Sequence, residues 1–379
     1  MPTALMLLSN PYRPDPRVLI EGRALVGAGI SVKLIAWDRE GSRPGRASED
    51  GIDIIRLGPR ARSRSPKDIL TRLPRFWLRA LRESRILQFD LVHAHDFDML
   101  PIGHLISRLH QRPVLYDAHE LYAKMIEGDI GALSRLIWIW ERFCARRADA
   151  VITVSDALAD ELSTGREDRA RVVSTSQDPS ALECLDAKKL KEEYGLKGFV
   201  VSYLGSLEPG RFVEELLAAF APEDGITVLI AGSGTLQPTV ERAAATNPVI
   251  RFIGVVDTDE ALRLTFASDL VVAMMDPSNS NNRVGTPGKI LNALACGRPM
   301  ITNEGLQIAE KIKKARAGVV VPYEGGNFKA AVLTVSRDPK GLEAMGREGR
   351  KLYEAEFSSE RSRKNLLEVY NGLLKSERA

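Results

Sequence analysis

Short apolar runs recur along the whole chain, each ending in Gly, Asp, Ser or His and followed by an amphipathic stretch of roughly 10–20 residues. In the first half the runs are Ala4–Leu8, Val32–Trp37, Ile52–Leu57, Asp90–His95, Val114–Asp117 and Ala150–Val154. In the second half they are Phe199–Leu204, Ile226–Ala231, Val249–Ile253, Leu270–Met274, Pro299–Thr302 and Gly318–Val321. Most are continuous rather than alternating, which is how strands buried on both faces of a parallel sheet read. Their alternation with helices predicts βαβ units in an α/β, doubly wound architecture. At 379 residues the chain exceeds the roughly 250–300 at which a single core stops growing. The strand–helix rhythm breaks in a Ser/Asp/Pro segment between Gln177 and Lys189. We therefore expect two Rossmann-like domains facing each other across a cleft, residues 1–180 and 190–358. The last helix, from about Ser359 to Leu374 within residues 359–379, is expected to pack back on the first domain.

Apolar residues at 44% and charged residues at 27% exclude a disordered or fibrous chain. A net charge of +3 is too small to argue for nucleic acid. Cys144, Cys184 and Cys296 lie far apart, which excludes a disulfide framework and a thiolate zinc site and points to a reducing compartment. No apolar run approaches the roughly 20 residues that span a bilayer. The segment Met1–Asn10 is too short and uncharged for a signal peptide. These features together predict a cytoplasmic protein.

Ligands of open α/β sheets bind beyond the carboxyl ends of the strands. The run Phe199–Leu204 delivers Gly205 and Ser206 there, and a helix is predicted from near Pro209, with Gly210 and Arg211 in its first turn. After Leu270–Met274 a polar loop, Asp276–Arg283, leads to Gly285-Thr286-Pro287-Gly288-Lys289 and a predicted helix Ile290–Cys296. Thr286 is a suitable cap and Pro287 a suitable first-turn residue. Two helix N-termini, each with a cation, would suit a diphosphate; ordinary capping, with Arg211 and Lys289 solvated, is the other reading. Gly232-Ser233-Gly234 opens like a dinucleotide fingerprint, but position 237 is Gln, so a tight turn beside a mononucleotide is the better expectation.

All five histidines fall between His93 and His119. His93 and His95 share one face of a strand, and His119 follows the next strand. The HxH pair allows a metallohydrolase, yet no later strand carries a histidine to complete such a site, so no metal is expected. His95 and His119 are expected to line the cleft wall. From Arg60 to Arg85 eight Arg and one Lys face only Asp68 and Glu83. There Ile69, Leu70, Leu73, Phe76, Trp77, Ala80 and Leu81 recur at helical spacing opposite Arg72, Arg75, Arg79 and Arg82. Such a basic amphipathic helix either lies on an anionic membrane surface or is a domain helix with a solvated face. No stacking platform accompanies it, so nucleic acid is not expected.

Several stretches carry a family resemblance. They are Asp15-Pro16-Arg17-Val18, Phe89–Asp96, Tyr116–Tyr122, Ala148–Ser155, Tyr203–Leu207, Ile230–Gly234, Arg251–Gly254 and above all Pro287–Pro299. In order and spacing the chain resembles a GT-B retaining glycosyltransferase of the group 1 family, family four. The resemblance implies a second domain that holds a nucleotide-sugar, UDP- or GDP-linked, and a first domain that presents a glycan or lipid-linked acceptor. It implies base contacts near Val255 and Val256, and a diphosphate held by Arg211 with Lys289 or Arg283. Gly205, Ser206, Gly232, Gly234, Thr286, Pro287 and Gly288 would complete the donor site. The family's two glutamates fall at Gly285 and Asn292, neither acidic, so Asn292 and the loop Asn279–Asn282 would supply altered donor contacts. Asp15, Arg17, His95 and Asp96 would meet the acceptor, and His119 would position it or the donor sugar. The implied chemistry is front-face transfer with Arg211, Lys289 and His119 as the catalytic set, and with neither metal nor cofactor. A lipid acceptor would place the protein peripherally on the inner face of the membrane. The rival expectations are a catalytically silent nucleotide- or glycan-binding scaffold, and a metal-dependent hydrolase using His93, His95 and Asp96.

Overall fold

The computed structural model describes residues 1–12, 15–61, 66–125, 131, 133–166, 168–182 and 184–376. The chain divides into two units, Met1–Thr175 with Arg361–Ala379, and Ser176–Glu360.

The first unit is built on an eight-stranded sheet of β1 (Thr3–Leu8), β2 (Ser31–Trp37), β3 (Arg46–Glu49), β4 (Ile52–Leu57), β5 (Leu91–His95), β6 (Val114–Ala118), β7 (Ala150–Thr153) and β8 (Arg171–Val172). Their spatial order is β3-β4-β2-β1-β5-β6-β7-β8. Every pairing is parallel except β3 with β4. The central strands are buried along nearly their whole length, as their unbroken apolar runs require. Strand β3 was not anticipated, because Arg-Ala-Ser-Glu has no apolar run. Its one signal is Asp50-Gly51, whose φ values of 55° and 77° fit a tight hairpin turn into β4. By the right-handed crossover rule the helix Pro16–Gly27 covers one face of the sheet. The helices Pro66–Ser84, Leu100–His110 and Leu133–Ala145 cover the other.

The helix Ser359–Ser376 completes the core of this unit. Its Leu366, Tyr370 and Leu373 pack with Met6, Leu34, Leu115 and Ile152. Asn365 Nδ2 donates to the Val172 carbonyl at 2.8 Å, and the Ser362 and Ser174 hydroxyls lie 2.7 Å apart.

The second unit holds β9 (Phe199–Leu204), β10 (Ile226–Ala231), β11 (Ile250–Gly254), β12 (Leu270–Val272), β13 (Met300–Asn303) and β14 (Gly318–Val321). All are parallel, in the order β11-β10-β9-β12-β13-β14. The polar segment after Gln177 belongs to this unit rather than separating the two. Leu182 packs with Leu262 and Cys296, and Asp186 caps the helix Ala187–Glu193, whose Leu190 sits among Val200, Leu204 and Leu229. A few leucines in a Ser/Asp/Pro context are enough to dock the segment, and composition alone hides them.

Among the described residues no helix is long and apolar enough to cross a membrane. Leu366 is 1% exposed, so Leu366→Ala is expected to destabilise the first unit by about 2–5 kcal/mol in urea unfolding. A loss under about 1 kcal/mol would show that the last helix is not part of that core.

Candidate functional site

In each sheet the strand order reverses at one place, between β1 and β5 in the first unit and between β9 and β12 in the second. At such a switch the loops diverge to opposite faces and leave a crevice beyond the strand ends. His95 and His119 stand at or just past the ends of β5 and β6, and Arg211 and Lys289 follow β9 and β12.

In the second unit, β9 leads into Gly205, and the loops after β9 and β10 lie against each other. Leu207 N donates to the Ser233 carbonyl and Leu236 N to the Leu207 carbonyl, at 2.9 and 2.8 Å. Gly232 has a φ of 141°, and a Cβ there would stand 1.8 Å from the Gly205 carbonyl oxygen. At Gly234 a Cβ would stand 2.3 Å from the Leu207 carbonyl oxygen. Both glycines are thus required by loop packing, independently of any ligand.

Lys289 reaches this place from the other side of the switch. Its Nζ is buried, 3.4 Å from the centroid of the Tyr203 ring, with no hydrogen-bond partner among the described residues. It lies against Gly205, where a Cβ would stand 3.8 Å away. Burial, and then the charge of Arg211, hold the Lys289 ammonium well below its ordinary pKa. Arg211 is itself placed by Met275, with Nη1 2.9 Å from Sδ. A buried, unpaired cation beside a second cation is an unfavourable arrangement that an anion would relieve.

Several local expectations are corrected here. Arg211 sits in the turn before a helix that begins only at Val213, because Phe212 adopts a left-handed φ of 62°. Thr286 does not cap the next helix. That helix runs Gly288–Ala295 with Pro287 at its N-cap and no side chain on its first N–H groups. The Asn279–Asn282 loop is occupied with itself, since Asn279 caps Ser280–Val284 and Asn282 Nδ2 donates to the Asp276 carbonyl at 2.9 Å. Asn292 is buried and its Oδ1 accepts from Gln177 Nε2 at 3.3 Å. Ser206 is exposed and uses its carbonyl to accept from the Tyr203 hydroxyl at 2.7 Å. Arg283 is exposed on its short helix. Beyond β11, Val255 is 62% exposed, whereas Val256 packs toward Leu204 and Leu229.

In the first unit the switch holds a buried polar cluster centred on Asp117. His95 Nδ1 and His119 Nε2 lie 2.8 and 2.6 Å from Asp117 Oδ2. Burial pushes the Asp117 carboxyl up, but the charge and hydrogen bond of His119, with His95, hold it well below the usual range. Burial and Arg17 push His119 down, and Asp117 outweighs them, so its pKa is raised. Burial and then the neighbouring Asp117 push the Glu21 carboxyl well above the usual range. His93 pairs with the Tyr370 hydroxyl at 2.8 Å, and burial followed by the neighbouring His95 keeps it neutral. His119 Nδ1 has no partner among the described residues.

Of the expected acceptor residues, Asp15 and His95 are buried. Asp15 caps Pro16–Gly27 and accepts from Arg17 and Asn10, and His95 is 0% exposed against Asp117. Arg17 and Asp96 keep accessible side chains and face each other at 3.7 Å. Asp117 and Glu21 were not singled out in the sequence. Glu21 does leave one trace there, as a charged residue between Val18 and Leu25 on the apolar stripe of its helix.

Glu21, His93, His95 and Asp117 each place a ligand atom within 4.8 Å of the others, so these four could hold a metal ion. No later strand supplies a donor to this set; the fourth, Glu21, comes from the first helix.

Residues 18–180 match the profile of Glycosyltransferase Family 4, and residues 198–338 that of Glycosyl transferases group 1. The chain belongs to the group 1 glycosyltransferases. A D-inositol 3-phosphate glycosyltransferase of Salinispora arenicola is 26% identical over 328 residues, covering 77% of this chain and 71% of its own. Among solved structures, sucrose-phosphate synthase from Thermosynechococcus elongatus superposes with a TM-score of 0.80 at 18% identity, covering 99% of this chain and 100% of that one. HepE from Anabaena in complex with UDP-glucose gives a TM-score of 0.71 at 16% identity, covering 98% and 99%. The two Rossmann-like units are those of the GT-B fold.

In this glycosyltransferase Lys289→Met removes the buried charge while keeping the volume. It is expected to leave the ligand-free protein as stable or up to about 2 kcal/mol more stable near neutral pH. Because the folded-state pKa is depressed, the wild-type penalty builds as pH falls from the unfolded value toward the folded one, so the difference should shrink toward alkaline pH. A clear loss of stability in thermal unfolding would show that the ammonium is a structural element instead.

Proposed function

We propose that this glycosyltransferase moves a sugar from a UDP- or GDP-linked donor on the second unit to a glycan or lipid-linked acceptor on the first. The transfer retains configuration at the anomeric carbon and uses no metal ion. The observation that carries this reading is the buried Lys289 Nζ, without a hydrogen-bond partner, beside Arg211 at the switch of the second sheet. The open N–H groups of Gly288–Ala295 add a second electropositive element. The Anabaena relative was solved with UDP-glucose, and the Salinispora relative is named for D-inositol 3-phosphate.

In the reaction the bond from the anomeric carbon to the diphosphate oxygen breaks, and the acceptor oxygen bonds to the same face. The acceptor proton passes to the departing phosphate oxygen, so no protein nucleophile is required. Arg211 and Lys289 stabilise the charge that develops on the diphosphate, the work a metal ion would otherwise do. Val255 offers its exposed surface and backbone to the base, and Asn292 keeps its amide nitrogen for the ribose. His119, oriented by Asp117, turns Nδ1 toward a sugar hydroxyl, and Arg17 and Asp96 meet the acceptor. The exposed Arg72, Arg75, Arg79 and Arg82 favour an acceptor at an anionic membrane surface, with the protein held peripherally on its cytoplasmic side. Arg62, Ser63 and Arg64, which extend that charge in the sequence, lie outside the described residues, as do the side chains of Ile69 and Leu70.

Calorimetric titration with UDP and with GDP, each with and without EDTA, is expected to show one of them binding, indifferent to chelator and more weakly as pH rises. Arg211→Ala and Lys289→Ala are expected to lower turnover about 100- to 1000-fold. Binding of neither nucleotide, or turnover abolished by EDTA, would overturn the reading.

A further inference from the structure

Eleven large apolar side chains are exposed among the described residues, and eight of them fall on the first unit between Leu78 and Phe143. Leu136, Ile139, Trp140 and Phe143 are 63%, 64%, 44% and 50% exposed on the helix Leu133–Ala145, and Leu105 and Leu109 are both 49% exposed on Leu100–His110. The spacings 136-139-140-143 and 105-109 make each set one stripe of its helix. The inward faces are accounted for separately: Ile102, Gly103 and Ile106 are buried on one helix, and Ser134, Glu141, Cys144 and Ala145 on the other. The apolar stripes therefore point away from the sheet. These two helices and Pro66–Ser84 contact one another in series and form one layer.

Among the described side chains, the exposed charge on this layer that has no partner of opposite sign is positive. Arg72, Arg75, Arg79, Arg82 and Arg135 are exposed on it, and the exposed Arg146 follows its last helix with its guanidinium on the Thr164 carbonyl. Arg147 lies over the Phe143 ring, its Cζ 3.5 Å from the centroid. Of the described carboxylates on the three helices, Glu83 is paired with Arg46, and Glu141 is buried and accepts from the Tyr116 hydroxyl. The next helix, Asp156–Ser163, carries Asp156 and Asp160 opposite Arg169 and marks where the one-signed surface ends.

We propose that this three-helix face is a membrane-docking surface for anionic lipid, with the Leu136–Phe143 stripe inserted among the acyl chains and the arginines at the headgroups. It extends the membrane part of the reading above from one basic helix to a whole face, and it is independent of the donor. Apolar stripes flanked by arginines that have no carboxylate partner among the described residues fit the boundary between headgroups and hydrocarbon. A second copy of the chain fits poorly, because an isologous contact would set arginine against arginine.

The full chain is expected to sediment with mixed phosphatidylcholine–phosphatidylglycerol vesicles and not with phosphatidylcholine alone. Ile139→Glu with Phe143→Glu is expected to weaken that binding at least tenfold, leaving the thermal transition and calorimetric UDP or GDP binding unchanged. The nucleotide titration on the same samples keeps failure here distinct from failure of the donor reading. Three outcomes would overturn the proposal. They are no binding to anionic vesicles, binding that survives the double substitution and is lost only on replacing Arg72, Arg75, Arg79 and Arg82 by Gln, and a dimer by light scattering that the double substitution dissociates.

Discussion

A parallel sheet covered by helices on both faces leaves little room for polar side chains along its strands, so most of them collect at the strand ends. Both units obey this constraint. The interior positions of β1, β9 and β10 are filled mainly by Ala, Val, Ile, Leu, Met and Tyr, with Ser202 a buried polar exception in β9. The ionisable residues crowd at the carboxyl ends beside each reversal of strand order. Once the strand order is set, the location of the chemistry follows. Lys289 and Arg211 meet because the segments that carry them flank the same switch, although 78 residues of chain separate the two positions.

The two clusters solve the problem of buried charge in opposite ways. In the first unit the buried Asp117 carboxyl is held down by His119 and His95, while burial pushes Glu21 up and His93 down, so the negative charge concentrates on Asp117. His119 Nδ1 is left as a buried ring nitrogen without a hydrogen-bond partner among the described residues. In the second unit the charges are alike and unneutralised. The free protein carries that cost, and an anion bound there would relieve it.

Most of the fold is legible in the sequence, because continuous apolar runs report buried parallel strands directly. Twelve of the fourteen strands lie under such runs; β3 and the two-residue β8 do not, since a short polar edge strand is made by backbone pairing. The site is legible at the level of loops and less so at the level of atoms. Arg211, Lys289 and His119 stand where strand ends placed them, yet Thr286 is no cap, Asp15 and His95 are inside, and Glu21 went unnoticed. Those differences turn on side-chain burial and on which of several polar neighbours completes a given pair, neither of which has a period in sequence. The apolar stripe of Leu133–Ala145 was hidden for a related reason: an outward-facing row of Leu, Ile, Trp and Phe reads the same as an inward-facing one.

The helix Ser359–Ser376 sets an order on the making of the protein. Leu366, Tyr370 and Leu373 belong to the core of the first unit, and Tyr370 supplies the hydroxyl beside His93. During synthesis the first unit therefore waits, its polar cluster open on one side, while the whole of the second unit leaves the ribosome. The second unit has no such debt and can fold as soon as residue 360 has emerged. The unit that begins the chain is thus the one that finishes last, and its buried histidines are sealed only by the final turns of helix.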